Sequence, residues 1–260
     1  MIDIHAHIIP DVDDGAESME DSIAMLRKSA ASGVNTIVAT PHLLPGSYMV
    51  SVDGCDEILL KLRNLAAELN IPIEILSGRE CYLTPEIFEF EKDLHKLTIN
   101  NAGKYILVEL PFHDTPDYVY QLIFDFQMKG ITPIIAHPER YHDVIYDPNF
   151  VRTFIEKDCL IQVNIGSVLG KYGSEVKKTS YVLLENRMAH IVASDMHTSH
   201  STPLGSGVDA VSEIVGEEES RNLLYRRSKA LIEGRVLAIP EPLDYRPKRN
   251  FWNLWGLLGE

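Results

Sequence analysis

The chain of 260 residues is long enough for one large domain with a substantial core, and its formal net charge of −14 argues against a nucleic-acid partner, because phosphate backbones require Lys and Arg. Three cysteines without a CxxC spacing predict reduced thiols and therefore a cytoplasmic protein. The N-terminus lacks the basic and apolar segments of a signal peptide and no apolar run is long enough to span a bilayer, so we expect neither secretion nor a membrane span.

Strand and helix patterns alternate along the chain. The first strand lies in Met-Ile-Asp-Ile-His-Ala-His, where Ile2 and Ile4 alternate with Asp3 and His5 as in a strand with one buried face. The other predicted strands lie at 35–40, 73–76, 105–110, 131–136, 160–164 and 189–194. The predicted helices lie at 18–33, 56–69, 116–129, 148–157, 175–186, 208–215 and 220–233. Seven βα units without a glycine-rich nucleotide motif predict an α/β protein with a (β/α)7 TIM-like barrel rather than a doubly wound sheet.

Imidazole and carboxylate side chains stand at or just after the C-terminal ends of six predicted strands. They are His5, His7, His42, Glu80, Glu109, His137, Asp195 and His197. In a parallel barrel these strand ends share one rim, and a mixed nitrogen and oxygen ligand set is typical of catalytic Zn, Mn or Fe. A single buried His is usually a hydrogen-bonded core residue, and Glu80 alone could be a surface charge. Glu109 is harder to dismiss because its neighbours are apolar, and the whole set predicts a metal site at the C-terminal rim.

Several motifs surround these residues, and together they carry a family resemblance. They are the HxH at 5–7, Asp-Val-Asp-Asp-Gly at 11–15, Thr-Pro-His at 40–42, Ala-His-Pro-Glu-Arg at 136–140, Val-Asn-Ile-Gly-Ser at 163–167 and Ala-Ser-Asp-Met-His at 193–197. With them the chain resembles the polymerase and histidinol phosphatase (PHP) superfamily, most closely the bacterial CpsB/YwqE-type protein-tyrosine phosphatases of capsule and exopolysaccharide synthesis. The resemblance covers residues 1–235 and implies a distorted barrel. We divide the chain into a phosphatase domain, 1–239, and a Pro-rich, basic and aromatic tail, 240–260.

The resemblance implies three divalent metal ions, with Mn expected first and Fe or Zn as alternatives. The implied ligand sets are His5, His7, Glu80 and Asp195 for the first metal, Glu80, Glu109 and His137 for the second, and His42, His197 and Glu17 for the third. Asp14 is the alternative to Glu17, whereas Asp11 and Asp13 are expected only to solvate their loop. Arg140 is expected to grip a phosphate oxygen, because arginine binds phosphate as a fork; its alternative role is a surface ion pair with Glu139.

The implied reaction is hydrolysis of phosphotyrosine by a metal-bridged hydroxide, with Arg140 and the metals neutralising the charge that develops. No cysteine is followed five residues later by arginine, so the motif of thiol-nucleophile phosphatases is missing. The implied partner is the Tyr-rich tail of a bacterial tyrosine kinase. The alternatives are a small-molecule phosphatase of the histidinol-phosphate type and an inactive, metal-loaded regulatory module. The second alternative rests on Thr202, which replaces a second arginine of the relatives and leaves His200 or Lys171 as substitutes.

The C-terminal tail carries a basic and aromatic cluster. Its residues are Arg246, Lys248, Arg249, Phe251, Trp252 and Trp255. Such a segment could touch the cytoplasmic membrane face or a kinase complex, and packing on the domain or on a neighbouring subunit is the equally weighted alternative.

Overall fold

A computed structural model describes residues 1–247 and contains nine strands whose pairings are all parallel. The strands are β1 (Ile2–Ala6), β2 (Thr36–Ala39), β3 (His42–Leu43), β4 (Glu74–Ser77), β5 (Glu80–Tyr82), β6 (Tyr105–Glu109), β7 (Thr132–Ala136), β8 (Leu160–Asn164) and β9 (Ile191–Ala193). One sheet has the order β1-β2-β4 and the other the order β3-β5-β6-β7-β8-β9.

Seven of the nine strands lie at the seven positions expected from the sequence. The two others, β3 and β5, were not predicted, and each follows the preceding strand after a short break, at 40–41 and at 78–79. A parallel bridge between Ala6 and Met196 brings β1 beside the segment that follows β9. The α/β class and the parallel arrangement are confirmed.

Eleven α-helices are found in residues 1–247. They are α1 (Met19–Ala31), α2 (Val52–Glu68), α3 (Ile87–Phe90), α4 (Tyr118–Met128), α5 (His142–Tyr146), α6 (Arg152–Ile155), α7 (Ile165–Val168), α8 (Ser174–Glu185), α9 (Val208–Val215), α10 (Glu217–Arg221) and α11 (Arg227–Ile232). The predicted helix at 148–157 is instead a 3₁₀ turn followed by α6, and a π-helical turn at Asn222–Arg226 interrupts the predicted helix at 220–233. Within the described residues, no helix combines the length and the apolar character needed to cross a membrane.

The strands bury both of their faces. Ile106, Ile135 and Ile161 join the large cluster that contains helical side chains such as those of Leu26 and Phe126. Their strand neighbours form a second cluster with few helical members: Ile2, Ile4, Leu107, Ile134, Leu160 and Ile191. Successive strand side chains point to opposite faces, so helices cover one face and the second cluster lies on the other. The expectation of one buried face for the first strand is therefore wrong, because all of β1 is buried.

The last described residues lie against the body of the protein. The Leu243 amide donates to the carbonyl of Asn186 at 2.8 Å, and Tyr245 and Asn149 exchange two hydrogen bonds of 2.9 and 3.0 Å. Arg246 is exposed. The other tail residues singled out above lie outside the described residues, so the membrane and kinase contacts stay predictions.

Candidate metal centre

A buried cluster forms where β1 ends. An irregularity in the pairing of β1 with β2 lies between Asp3 and Ala6, next to the first ligand candidates. The Nε2 atoms of His5 and His7 are 3.1 Å apart. Glu80 Oε2 lies 3.1 Å from the first and 3.2 Å from the second, and Asp195 Oδ1 lies 3.3 and 3.4 Å from them. All four side chains are buried, and we call this set the inner cluster.

The inner cluster has the donor chemistry of a divalent-cation site. Glu80 Oε2 and Asp195 Oδ1 are buried, and neither has a hydrogen-bond partner among residues 1–247. Buried carboxylate oxygens without a partner are costly, and two imidazole nitrogens that face them supply two further lone pairs. Two nitrogens and two oxygens at this spacing fit a cation such as Mn, Fe or Zn.

Glu80 also faces a second group of ligand candidates. Its Oε1 lies 3.2 Å from His137 Nε2, and its Oε2 lies 3.1 Å from His42 Nδ1. Glu109 Oε1 lies 3.6 Å from the same His137 nitrogen. His137 and Asp195 both adopt positive φ, of 34° and 56°, a conformation that costs non-glycine residues energy and recurs at functional sites. Glu80 therefore lies between the inner cluster and this second group of ligand candidates.

An outer cluster of His7, Asp14, His42 and His197 lies at the mouth of the site. Asp14 Oδ1 is 3.5 Å from His42 Nε2 and 3.4 Å from His197 Nε2. Glu17, which the sequence favoured for this position, is exposed and is not in any of the three groups that could hold a metal among the described residues. The loop at 11–15 thus brings Asp14 to the histidines and leaves Glu17 at the surface.

The pKa values in the inner cluster record its negative potential. Burial disfavours the charged imidazole of His5, yet Glu80 and Asp195 raise its pKa to about 9. Burial raises the pKa of Glu109 to about 8, and the carboxylate of Glu80 contributes. Burial alone would raise the pKa of Asp195, but His5 and His7 lower it well below its ordinary value. A pocket that favours protonated imidazole in this way also favours a metal cation.

Three residues outside the predicted ligand sets hold the ligand candidates in place. Asp13 was expected only to solvate its loop, which is wrong: its buried carboxylate lies 2.8 Å from His7 Nδ1 and accepts from the backbone amides of Gly15 and His42. Gln162 Oε1 lies 2.9 Å from His5 Nδ1. Asn164 donates to Asp195 Oδ2 at 2.6 Å. Such partners orient ligands and strengthen metal binding.

Asp13 and Asn164 lie in motifs that the sequence had already singled out, so their positions were marked although their roles were not. Position 15 in the same loop requires glycine for a steric reason, because a Cβ there would lie 2.3 Å from the His7 carbonyl oxygen. Gln162 had no local signal.

Arg140 stands beside the inner cluster. One of its Nη atoms lies 3.2 Å from Asp195 Oδ2, so its carboxylate neighbour is Asp195 rather than Glu139. Glu139 is buried and instead accepts from the Asn164 amide and the Ser167 hydroxyl. Arg140 faces a cavity of about 270 Å³ that is also lined by Tyr48, Tyr82, Phe112 and residues of all three ligand groups. Within residues 1–247, no other Lys or Arg side chain lines it, and neither Thr202 nor Lys171 does.

The family model for capsular polysaccharide synthesis proteins, CpsB/CapC, matches residues 1–233. The chain belongs to the CpsB/CapC family. The tyrosine-protein phosphatase YwqE of Bacillus subtilis is 40% identical over 200 residues, which are 76% of this chain and 77% of YwqE. The tyrosine-protein phosphatase CpsB of Streptococcus pneumoniae is 32% identical over 244 residues, 91% of this chain and all of CpsB.

The fold of this CpsB/CapC chain also matches solved structures. A structure from the study of YwqE and CpsB, described there as metal-dependent tyrosine phosphatases, superposes with a TM-score of 0.87 and 33% identity over 95% of this chain and 100% of that one. Histidinol phosphate phosphatase from Lactococcus lactis, complexed with zinc, matches with a TM-score of 0.55 and 14% identity over 86% of this chain and 94% of that one. At that identity the second match shows a shared fold only.

Proposed function

We propose that this member of the CpsB/CapC family is a metal-dependent phosphatase that hydrolyses phosphotyrosine in proteins. The observation that carries the proposal is the convergence of three groups of His, Asp and Glu side chains with Arg140 around one cavity. Relatives of the same family that align with most of this chain are tyrosine-protein phosphatases. The common geometry and the common family point to the same phosphoester chemistry.

The proposed metal ligands come from the inner cluster, the outer cluster and the surroundings of Glu109. Glu80 and Glu109 are grouped with His42 rather than with His137. We keep His137 as their partner because its Nε2 lies 3.2 Å from Glu80 and 3.6 Å from Glu109. We assign His5, His7, Glu80 and Asp195 to one cation, and Glu80, Glu109 and His137 to a second. His42, His197 and Asp14 would hold a third, so Asp14 takes the position first assigned to Glu17. Mn is the proposed metal on the ground of the family resemblance, and Fe and Zn are the competing choices because a mixed imidazole and carboxylate set suits them as well. Four carboxylates against three divalent cations leave about two positive charges for a phosphate dianion.

The protein's own residues bind and orient the substrate. Bound divalent cations would supply Lewis acidity and lower the pKa of water enough for hydroxide to form near neutral pH. Arg140 would bind a phosphate oxygen through its fork of N–H donors and offset the charge that develops during transfer. We assign no nucleophilic role to the three thiols, because all are buried and none lines the cavity. Burial raises the pKa of Cys81 and of Cys159 to about 12, and it also raises the pKa of Cys55.

The biological setting is proposed from the family. CpsB/CapC proteins belong to capsular polysaccharide synthesis. We propose that the substrate is the Tyr-rich tail of a bacterial tyrosine kinase that controls this synthesis, and that the reaction takes place in the cytoplasm.

The test compares substrates on one metal-loaded preparation. The Mn-loaded protein is assayed on phosphotyrosine peptides, on phosphoserine peptides and on histidinol phosphate. We expect a clear preference for phosphotyrosine. A preference for histidinol phosphate would assign the protein to the small-molecule phosphatases, and full metal occupancy without turnover on any of the esters would indicate a regulatory module.

A double variant with its control tests the metal assignment. The His5→Ala, His7→Ala protein should lose both metal and activity, because half of the inner cluster is removed. His95 is exposed and lies outside the three ligand groups, so His95→Ala should keep both. Full metal content and full turnover in the double variant would refute the assignment.

A further inference from the structure

Two aromatic rings contact the guanidinium group of Arg140. Its Cζ lies 5.0 Å from the ring centroid of Phe112 and 4.8 Å from that of Tyr172. Both distances are within the range of cation–π attraction, which arginine makes more often than lysine. Arg140 therefore makes both an ion pair with Asp195 and two aromatic contacts.

The two rings differ in what else they touch. Phe112 stacks on His137 with a centroid distance of 5.8 Å and packs edge-on against Tyr141. A change at Phe112 would thus disturb a proposed metal ligand as well. Within residues 1–247, Tyr172 makes no ring contact with a proposed metal ligand and no side-chain hydrogen bond, and its ring centroid lies 4.8 Å from Arg140 Cζ. The aromatic ring of Tyr172, rather than its hydroxyl, carries its contact with Arg140.

A short turn delivers Tyr172 to this position. The turn follows α7, and its glycines Gly170 and Gly173 adopt φ of 80° and 96°, which side-chain-bearing residues rarely adopt. The Lys171 amide closes the turn by donating to the Gly166 carbonyl at 2.9 Å. A Cβ on Gly166 would lie 3.0 Å from the Tyr172 ring, so glycine at this place leaves room for the ring.

The same segment is tied to the rest of the centre. Asn164 binds Asp195, and Ser167 donates to Glu139, the residue before Arg140. The Val-Asn-Ile-Gly-Ser motif at 163–167 therefore holds a proposed metal ligand, anchors the turn that carries Arg140, and makes space for Tyr172.

We infer that Tyr172 is a positioning residue that holds the Arg140 guanidinium over the phosphate-binding end of the cavity. The inference rests on the proposed phosphatase function and adds a specific residue to it. Because Arg140 is the one Lys or Arg side chain from residues 1–247 that lines the cavity, its placement is not backed up by a second such group there. Binding of a phosphate dianion then requires that the Arg140 side chain is ordered before the substrate arrives.

The test distinguishes the contribution of the aromatic face of Tyr172 from that of its side-chain volume. Tyr172→Leu keeps an apolar side chain but removes the π face, and Tyr172→Phe keeps the ring and removes the hydroxyl. The dissociation constant of inorganic phosphate for the Mn-loaded protein is measured by calorimetry, together with KM, kcat and metal content. We expect Tyr172→Leu to weaken phosphate binding and to raise KM about tenfold, with metal content unchanged. Tyr172→Phe keeps the ring, so it should retain most of the phosphate affinity of the unchanged protein.

Two further variants complete the design. Gly166→Ala should push the ring away and weaken phosphate binding in the same direction, which gives a second reading if Tyr172→Leu folds poorly by circular dichroism. Tyr146 is 87% exposed and lies outside the cavity, so Tyr146→Leu is the matched control and should bind phosphate as the unchanged protein does.

The possible results decide the inference. Unchanged phosphate binding in Tyr172→Leu and in Gly166→Ala would overturn it. Equal losses in Tyr172→Phe and Tyr172→Leu would overturn it in favour of a hydroxyl contact, and loss of metal in Tyr172→Leu would indicate a purely structural role. If the unchanged protein hydrolyses none of the phosphoesters, the proposed function fails, while phosphate binding by the variants still reports on Tyr172.

Discussion

His5 and His190 are both fully buried imidazoles, yet they lie in opposite electrostatic surroundings. Burial disfavours the charged form of each. Beside His5, the carboxylates of Glu80 and Asp195 outweigh burial and raise its pKa to about 9. At His190, burial and the cation of Arg227 lower the pKa to about 3.

The comparison separates a cation site from an ordinary core histidine. His190 Nδ1 accepts a hydrogen bond from the Ile161 amide at 3.0 Å and joins neighbouring strand segments as a neutral group. His5 faces acceptors only, so it needs either a proton or a metal. Burial of a histidine does not identify a ligand, whereas the carboxylates that face it do. Four experiments test this difference between the metal centre and the core.

The largest effect is expected from removing the charge of Glu80. Its two oxygens face four imidazoles, those of His5, His7, His42 and His137. Glu80→Gln should lower kcat/KM by about a thousandfold or more and release metal, because the bridging carboxylate is lost. Elemental analysis and turnover measure both. Glu89 is exposed, so Glu89→Gln should change neither, and full metal content in Glu80→Gln would contradict the bridging role.

A smaller effect is expected at the outer cluster, where the ligand candidates are partly exposed. Asp14→Asn should lower kcat/KM about a hundredfold and reduce the number of bound metals by one, because one of the three ligands is weakened. Glu17→Gln is the paired variant and should keep both values. The opposite result, with Glu17→Gln impaired and Asp14→Asn intact, would restore the assignment made from the sequence.

Residues that orient the ligands of the inner cluster are expected to contribute less to metal affinity than the ligands themselves. Asp13→Asn replaces a carboxylate that faces His7 Nδ1 and two backbone amides with an amide whose NH₂ group cannot accept. Metal affinity should fall by about 10 to 100-fold, with the ligands still present. Competitive titration with a metal indicator measures the change. An unaltered affinity would show that His7 needs no orienting partner.

The smallest effect is expected at His190, and on stability rather than on activity. Its folded pKa is lowered, so the unfolded chain binds more protons as the pH falls below the ordinary value, and stability is lost in that direction. Between about pH 8 and about pH 5.5, this residue should cost about 1.4 kcal/mol of the free energy of unfolding. His190→Asn keeps an acceptor for Ile161 and should lose that part of the pH dependence. Urea unfolding of both proteins in a metal chelator gives the comparison; parallel pH profiles would contradict it.

Much of the fold could be predicted, because strand and helix periodicity is local. The predicted bounds of the strand at 160–164 and of the helix at 208–215 agree with the structure to the residue. The short strands β3 and β5 were missed, since two or three residues are too few to show a strand periodicity. The helix at 220–233 was predicted as continuous, because a π-helical turn has no strong composition signal.

Most of the candidate site could also be predicted, for a related reason. His, Glu and Asp after successive strands of a parallel fold must meet at one rim, whatever the details of packing. For the acidic residues at 11–17 this rule gives no guidance, so the sequence analysis favoured Glu17 over Asp14 and expected Asp13 only to solvate the loop. Tyr172 carried no signal, since it approaches Arg140 only through a turn between two helices.

The amino-acid sequence alone predicts the alternation of strands and helices, the kinds of candidate ligand atoms and the end of the fold at which they gather. These features follow from short-range periodicity and from the fixed direction of parallel strands. Three features follow from the folded structure alone: Asp14 reaches His197, Arg140 pairs with Asp195, and Tyr172 contacts Arg140. These contacts join residues that are distant in the chain, so they depend on the exact path of the loops, which local sequence patterns do not specify.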